Sequence, residues 1–273
     1  MGTIPLHVTL IGAGQVGRAF SKALKARGHA HRLLSLRRGL PERMRSTDLV
    51  LICVRDGQIP AVARSLTGAQ WAAAAVVAHV SGVLGVDALA ALRPHCRAIG
   101  QLHPFLSIRS IGHVRDFTGA YFLGDGDRTA TTSLRRFVGL LGARFVSGHG
   151  IDRSRYHLAA AVVANGSVAL LAVARGLLVA AGVEPNLAEK MLLELEHSVL
   201  HNAARLGVQA ALTGPVRRGD TQTVRRHLAL LADTEPATKA LYLSLLRSQL
   251  DIVRSLGELE ARELRGLTRL LRG

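Results

Sequence analysis

Residues 7–17 read HVTLIGAGQVG, and this stretch decides the fold. Its first half is a short apolar run, which predicts a buried strand. The run breaks into GAGQVG at residues 12–17, which matches the pattern G-x-G-x-x-G. Residues 15–27 then show helical spacing. A strand, a glycine turn and a helix in that order predict a dinucleotide-binding turn of the Rossmann type.

Each glycine of this turn has a separate physical task. Gly12 permits the tight turn, Gly14 lets the backbone approach a pyrophosphate, and Gly17 lets the helix pack closely on the strand. The backbone N–H groups at the helix start, including those of Gln15 and Val16, are positioned to meet phosphate charge. The alternative is a glycine-rich turn with a purely structural role.

The end of the second predicted strand indicates which dinucleotide binds. NAD enzymes usually place Asp or Glu there to hold the ribose 2′-hydroxyl. This chain has Ser35, Leu36, Arg37 and Arg38 instead. A hydroxyl and guanidinium groups bind a 2′-phosphate, which a carboxylate would repel. The sequence therefore predicts NADP(H), although both arginines could also be ordinary exposed loop residues.

Two further strand ends complete the predicted cleft, because ligands of open α/β sheets bind beyond the carboxyl ends of the strands. Val54 is the last residue of the aliphatic segment DLVLICV, Asp56 follows this segment, and Ser81 follows the apolar run that ends at residue 80. We expect both turns to line the nicotinamide side. Asp56 could instead cap the helix that follows it.

Strands alternate with helices as far as residue 146, and only helical periods follow. This predicts an α/β fold in which an N-terminal Rossmann-type parallel-sheet domain, residues 1–152, precedes an all-α C-terminal domain, residues 153–273. The segment 158–182 is long and apolar but contains Asn165 and Arg175. A charge at bilayer depth is costly, so we expect a buried central helix rather than a membrane span.

Composition limits the function classes. The 273 residues are 48% hydrophobic and carry a formal net charge of +16, mostly as scattered arginine pairs. Such a pattern favours a solvated surface, or a field that gathers anionic ligands, over nucleic-acid binding. Neither the two cysteines, Cys53 and Cys96, nor the histidine spacing predicts a metal site. No signal-peptide pattern precedes the first strand, so we expect a cytoplasmic protein.

Five motifs follow one another in a fixed order: Gly12–Gly17, His79–Gly82, His103-Pro104-Phe105, Tyr156-His157 with Asn165, and Thr213-Gly214-Pro215 with Arg218-Gly219-Asp220. Together they resemble the Rossmann-like oxidoreductases whose C-terminal part is the domain of unknown function 2520. The resemblance covers nearly the whole chain, and these proteins are similar to ketopantoate reductases, pyrroline-5-carboxylate reductases and hydroxyacid dehydrogenases. It implies an NADP domain, a helical domain, a homodimer, and hydride transfer to a C=O or C=N bond of a small carboxylate.

The chain also departs from its relatives. The hydroxyacid dehydrogenases carry a catalytic lysine four residues before an asparagine on the long helix, and Ala161 stands at that position here. Their acid–base scheme therefore does not transfer unchanged. Leu-Gln usually follows the histidine-proline pair, whereas this chain has Phe105 and Leu106.

Reduction of a carbonyl or imine needs a proton donor and a grip on the substrate carboxylate. His103, after a strand end, and His157, on the long helix, are the candidate donors. Asn165 lies eight residues beyond His157, so the two side chains can share a helix face. We expect Asn165 to be a buried amide that holds the substrate oxygen.

The remaining candidates are polar residues placed to hold the substrate. Ser81 could bind the carboxylate or the nicotinamide amide, and Thr213 and Arg218 could clamp the carboxylate. The sequence thus predicts an NADPH-dependent reductase of a 2-keto acid such as ketopantoate, or alternatively of a cyclic imine. A non-catalytic NADP sensor is the rival hypothesis, motivated by the missing lysine.

Overall fold

The computed structural model describes residues 5–41, 47–70, 73–108 and 117–271 of the chain. Seven strands precede a set of long helices. The strands are β1 Val8–Ile11, β2 His31–Leu34, β3 Leu49–Ile52, β4 Val76–His79, β5 Ala98–Pro104, β6 Tyr121–Gly126 and β7 Arg144–Ser147. The helices are α1 Gln15–Ala26, α2 Ile59–Ser65, α3 Arg128–Leu140, α4 Arg153–Ala180, α5 Pro185–Leu206, α6 Thr221–Leu230, α7 Pro236–Leu256 and α8 Ala261–Leu270.

The strands form one sheet in the order β2-β1-β3-β4-β5-β6-β7. Strands β1 to β5 are parallel, β6 is antiparallel to β5, and β7 is parallel to β6. A 3-10 segment, Val86–His95, takes the place of a helix between β4 and β5. The predicted fold class, a mostly parallel sheet followed by a helical region, is confirmed.

Both faces of the sheet are covered, because side chains alternate along each strand. On β3, Leu49 and Leu51 pack with residues of α1 and α3, whereas Val50 and Ile52 pack with α2 and the 3-10 segment. All four side chains are fully buried. This two-sided burial explains why β3 reads as a continuous aliphatic run rather than an alternating one.

The chain divides into two compact units, Met1–Asn165 and Gly166–Gly273. Helix α4 contains the division. The boundary predicted from the sequence, between residues 152 and 153, falls at the start of the same helix and stays a prediction. Within the second unit a smaller core joins α6, α7 and α8; its buried members are Val216, Val224, Leu246, Leu250, Val253 and Leu267.

The prediction that the long apolar helix is buried was wrong for the chain by itself. None of the α4 residues is buried, and Val162, Val163 and Val168 are all more than 60% exposed. Apolar side chains surround this helix instead of forming one stripe, so a single neighbouring layer does not cover them. By length and composition α4 could cross a membrane, with a hydropathy of 1.9, but one such helix is weak evidence.

Candidate functional site

The fold requires glycine at two positions of the glycine turn, whereas at the third position it would leave room for a side chain. Gly12 has a φ of +113°, and a Cβ there would overlap the Cys53 carbonyl oxygen. A Cβ on Gly17 would overlap the Gly12 carbonyl oxygen. A Cβ on Gly14, however, would meet nothing closer than Cys53 O at 4.0 Å. The space above Gly14 is therefore free for a ligand to approach the backbone.

The start of α1 adds backbone donors to this opening. Gly14 is the N-cap of α1, and no side chain of the described residues caps the helix by a hydrogen bond. The first-turn N–H groups, which include those of Gln15 and Val16, thus remain available to an anion. Arg18 braces the turn by donating from Nε to the Ala13 carbonyl oxygen at 2.6 Å. This arrangement fits the pyrophosphate of a dinucleotide.

The predicted cofactor-selecting residues follow β2 on a short 3-10 turn, Leu36–Arg38. Ser35 is half-buried, and Arg37 and Arg38 are exposed. The two guanidinium groups are accordingly accessible to an anionic ligand. Their assignment to a 2′-phosphate stays a prediction.

The loop after β3 adjoins the glycine turn. The Val54 side chain lies 3.0 Å from the position of a Cβ on Gly12, so Val54 forms a wall of the turn. Asp56 is exposed and begins a 3-10 turn ahead of α2. The N-cap of α2 is Gln58, which makes no side-chain cap hydrogen bond. Asp56 therefore does not act as the cap of α2, the alternative raised by the sequence.

Sheet register places a row of polar side chains level with the last residue of β1. Ile11 on β1 pairs with Ile52 on β3, which pairs with His79 on β4. The row continues through Gln101 on β5 to Asp125 on β6. Since Gly12 directly follows Ile11, the polar row and the glycine turn lie at the same end of the sheet, where β1, β3 and β4 have their carboxyl ends.

His79 and Ser81 fix the turn after β4. The Ser81 backbone N–H donates to His79 Nδ1 at 3.2 Å, so the other ring nitrogen, Nε2, carries the hydrogen and donates to the Gly85 carbonyl oxygen at 3.0 Å. Burial lowers the pKa of His79, in keeping with this neutral form. Ser81 Oγ accepts from the N–H groups of Val83 and Leu84 at 3.2 and 3.0 Å. Its hydroxyl hydrogen is left to donate to a ligand.

His103 lies at the carboxyl end of β5 and pairs with Tyr156 of α4. His103 Nδ1 and Tyr156 Oη are 3.0 Å apart, and the two rings meet edge to face. The opposite side of the imidazole lies against Gly82, where a Cβ would be only 2.8 Å from Nε2. Any other residue at position 82 would displace the ring.

Burial determines the protonation of this pair. Burial, and secondarily the neighbouring His157, lowers the pKa of His103 to about 4. Burial raises the pKa of Tyr156 to about 12. At neutral pH the pair therefore consists of a neutral imidazole and a protonated phenol, so it holds a transferable proton without a net charge.

The other predicted catalytic residues on α4 are less enclosed. His157 is exposed, with its ring centroid 6.2 Å from that of His103. Asn165 is exposed rather than buried, so the expectation of a buried amide was wrong. The reason is the same lack of cover that leaves α4 exposed. Their catalytic roles stay predictions.

Thr213 and Arg218 belong to the second unit. Both are exposed, and they line a groove of about 310 Å³ with Leu212, Gly214 and Arg217. Arg217 is engaged with the carbonyl oxygens of Ala210 and Leu212 and with Glu258. Within the described ranges, no three His, Cys, Asp or Glu side chains come together as a metal site.

Sequence reasoning missed the pairing of Tyr156 with His103 and the polar contacts behind it. Gln101 is completely buried, and Arg153 of α4 donates to Gln101 Oε1 at 2.6 Å and to Asp125 Oδ2 at 2.7 Å. A polar Gln101 within the apolar strand AIGQL is the one signal that could have exposed this cluster, since buried polar groups need partners.

The comparisons place this geometry in a known fold. Residues 120–249 match the family described as "Domain of unknown function (DUF2520)". The structure is similar to a protein from Thermotoga maritima, TM1727, with 21% identity over 91% of this chain and 98% of the other and a TM-score of 0.69. It is also similar to a Bacteroides fragilis protein described as a putative NADP oxidoreductase, with 22% identity over 90% and 98% and a TM-score of 0.71.

A more distant likeness links the chain to a pyrroline carboxylate reductase of Plasmodium falciparum with NADP bound. The identity is 12% over 97% of this chain and 99% of that chain, with a TM-score of 0.56. No curated protein sequence matches the chain. The molecule therefore has a Rossmann-type fold followed by a helical region. The match of residues 120–249 to the DUF2520 model confirms the resemblance drawn from the motifs.

Proposed function

We propose that the protein is an NADPH-dependent reductase that transfers a hydride to a C=O or C=N bond of a small carboxylate. One observation carries this proposal. A single edge of the sheet combines a dinucleotide turn that is open at Gly14 with the neutral pair His103 and Tyr156. When bound, NADPH would supply the hydride, and the protein must supply a proton to the oxygen or nitrogen that becomes negative.

The preference for NADP(H) rests on the turn after β2. Arg37 and Arg38 are both exposed there, and solved structures of the same fold include complexes with NADP or NADPH. Replacing both arginines by alanine is expected to weaken NADPH binding tenfold or more, about 1.4 kcal/mol, while NADH binding changes little. Arg136→Ala on the exposed side of α3 is the control. Equal loss for both cofactors would contradict the selection.

Within the proposed site Tyr156 donates the proton, and His103 positions the phenol of Tyr156. The phenol is protonated at neutral pH, and it is a strong enough acid to protonate an alkoxide or amide anion as that anion forms. His103 Nδ1, 3.0 Å from the hydroxyl, accepts its hydrogen bond in the resting state and keeps the oxygen in place. His157 stands close enough to pass a proton from solvent to this pair.

Polar groups at two places are proposed to hold the substrate. Ser81 can donate its hydroxyl hydrogen to a carboxylate or to the nicotinamide amide, because its lone pairs are already occupied by the turn. Asn165 is proposed to contact the substrate oxygen. In the second unit Thr213 and Arg218 line one groove and supply a hydroxyl and a guanidinium to a carboxylate.

A 2-keto acid such as ketopantoate is the proposed substrate, and a cyclic imine carboxylate is the second candidate. The second is supported by solved structures of the same fold that include pyrroline carboxylate reductases and an imine reductase from a Pseudomonas species. Both substrates present a carboxylate beside an electrophilic double bond. The same donor pair serves either reaction.

Turnover tests the function. NADPH oxidation should be measured with ketopantoate, pyrroline-5-carboxylate and related acids, for the wild type and for Tyr156→Phe, His103→Ala and His157→Ala. Tyr156→Phe should lower kcat about 100-fold or more, because the general acid is lost, with NADPH affinity retained. Tight NADPH binding without oxidation of any substrate would instead support a sensor protein. Unchanged rates in Tyr156→Phe and His103→Ala would refute the donor assignment.

The apolar helices of the second unit support a homodimer. On α5, Leu195 and Leu200 are about as exposed as the valines of α4, at 60% and 57%. We propose that a second copy covers these surfaces, in a cytoplasmic protein that binds neither membrane nor nucleic acid. Salt-sensitive binding to duplex DNA that NADPH does not displace would overturn the last point.

A further inference from the structure

The polar row of the sheet is tied to α4 by one arginine. Arg153 stands in the first turn of α4, and its side chain is only 13% exposed. It donates from one terminal nitrogen to Gln101 Oε1 and from the other to Asp125 Oδ2, at 2.6 and 2.7 Å. Because the planar guanidinium fork spans two acceptors on neighbouring strands, it fixes their side chains at once.

Gln101 passes this constraint to the turn after β4. Its amide nitrogen donates to the Ser81 carbonyl oxygen at 2.6 Å, and the residue is completely buried. Ser81 is followed by Gly82, which lies against the imidazole of His103. A continuous series of contacts therefore runs from Arg153 through Gln101 to the surface on which His103 rests.

We propose that Arg153 is a positioning residue for His103 and acts through Gln101. This role rests on the proposed reductase function, and it adds a residue that touches no reacting atom. Asp125 accepts the second bond and keeps the guanidinium from swinging away from Gln101. Arg153 is also one helical turn before Tyr156, so the same residue sets both partners of the donor pair.

Electrostatics supports the same assignment. The charged and titratable groups around His103 are Tyr156, His157 and Arg153 on α4 and Asp56 after β3. Burial and His157 are the main causes that lower the pKa of His103; Asp56 raises this pKa, and the Arg153 charge adds a smaller lowering. Arg153 likewise lowers the pKa of Tyr156 against the effect of burial. It therefore favours a neutral imidazole beside a phenol that can give up its proton.

Three variants separate positioning from charge and from general stability. Arg153→Met removes both the fork and the charge, and Arg153→Lys keeps the charge but cannot bridge two acceptors in one plane. Arg155→Met is the matched control, because Arg155 lies on the same turn with a side chain that is 87% exposed. If Arg153→Met fails to fold, Arg153→Lys carries the test.

The first readout needs no turnover. Imidazole resonances of His103 should be titrated by NMR in the protein without substrate. The pKa of His103 should rise in Arg153→Met and stay near the wild-type value in Arg153→Lys and Arg155→Met. Hydrogen exchange of the backbone amides at Ser81 and Gly82 should quicken in both Arg153 variants.

The second readout is kinetic. In both Arg153 variants kcat should fall about tenfold or more, with the NADPH dissociation constant within about twofold, because the donor pair is displaced but the glycine turn is untouched. Arg155→Met should match the wild type. Unchanged hydrogen exchange at Ser81 and Gly82 in both Arg153 variants, together with an unchanged pKa of His103 in Arg153→Met, would overturn the proposal. A wild type that reduces no substrate would refute the proposed function alone, because the NMR and exchange readouts would still decide the positioning role.

Discussion

The two units of the chain use apolar residues differently. In the first, both faces of the sheet are covered, and every residue of β1, β3 and β4 is buried. Among the described residues of the second, one buried hydrophobic cluster has six members, while α5 buries only Ala188. The first unit satisfies its hydrophobic surface by itself, whereas the helices of the second present theirs outward. An exposed apolar surface of this kind is typical of an interaction site.

The largest expected effect is a loss of stability in the first unit, at the close contact between Gly17 and the Gly12 carbonyl oxygen. Gly17→Ala forces a methyl group into the Gly12 carbonyl and should destabilise the protein by about 3 kcal/mol or more. Gly139→Ala, at an exposed helical glycine of α3 with open space around it, is the matched control and should be neutral or stabilising by up to about 1 kcal/mol. Urea denaturation measures both. Equal stabilities of the two variants would mean that the turn is not packed as described.

The next prediction tests whether a second copy of the chain covers the exposed apolar surface of the helical unit. If a second copy covers α4 as proposed, Val168→Glu, at a side chain that is 64% exposed in the single chain, should shift the protein from dimer to monomer, since a carboxylate buried in an interface costs several kcal/mol. Val146→Glu on β7 makes the same change at a site outside the helical unit. Light scattering over a range of concentrations distinguishes them. A wild type that is monomeric at every concentration would disprove the second copy as cover.

A smaller effect concerns pH. The folded pKa of His103, about 4, lies below the ordinary value of about 6.5, so the unfolded chain binds a proton first on acidification. Stability contributed by neutral His103 is complete above about pH 6.5 and is lost as pH falls toward 4, by up to about 3 kcal/mol. His103→Gln should therefore lose less stability between pH 7 and pH 5 than the wild type does.

The control for this pH effect is His149→Gln, because His149 is exposed. Its unfolding free energy should follow the wild-type pH profile. If His103→Gln also follows that profile, His103 is not held neutral by its surroundings.

Local rules predicted the first unit well because each of its elements is specified by neighbouring residues. The apolar run before Gly12 and the helical spacing after it are sufficient for β1, the turn and α1. Gln101 and Arg153, by contrast, are 52 residues apart and meet only through sheet register and the start of α4. No local pattern encodes such a pair.

The burial of α4 was mispredicted for a related reason. Its composition is typical of a buried helix, but composition does not state which surface provides the cover. The burial of Asn165 was mispredicted for the same reason, because it depended on the burial of its helix. Tyr156 was present in the motif but lacked a role until His103 was placed 3.0 Å from its hydroxyl.

The central claim is that position 14 requires glycine for the binding of a ligand and not for folding. The most direct measurement compares NADPH binding and unfolding free energy for the wild type and Gly14→Ala. We expect stability within about 1 kcal/mol, because the added methyl meets open space, and a dissociation constant raised about tenfold or more. NADPH binding that is absent from the wild type, or unchanged in Gly14→Ala, would contradict the account.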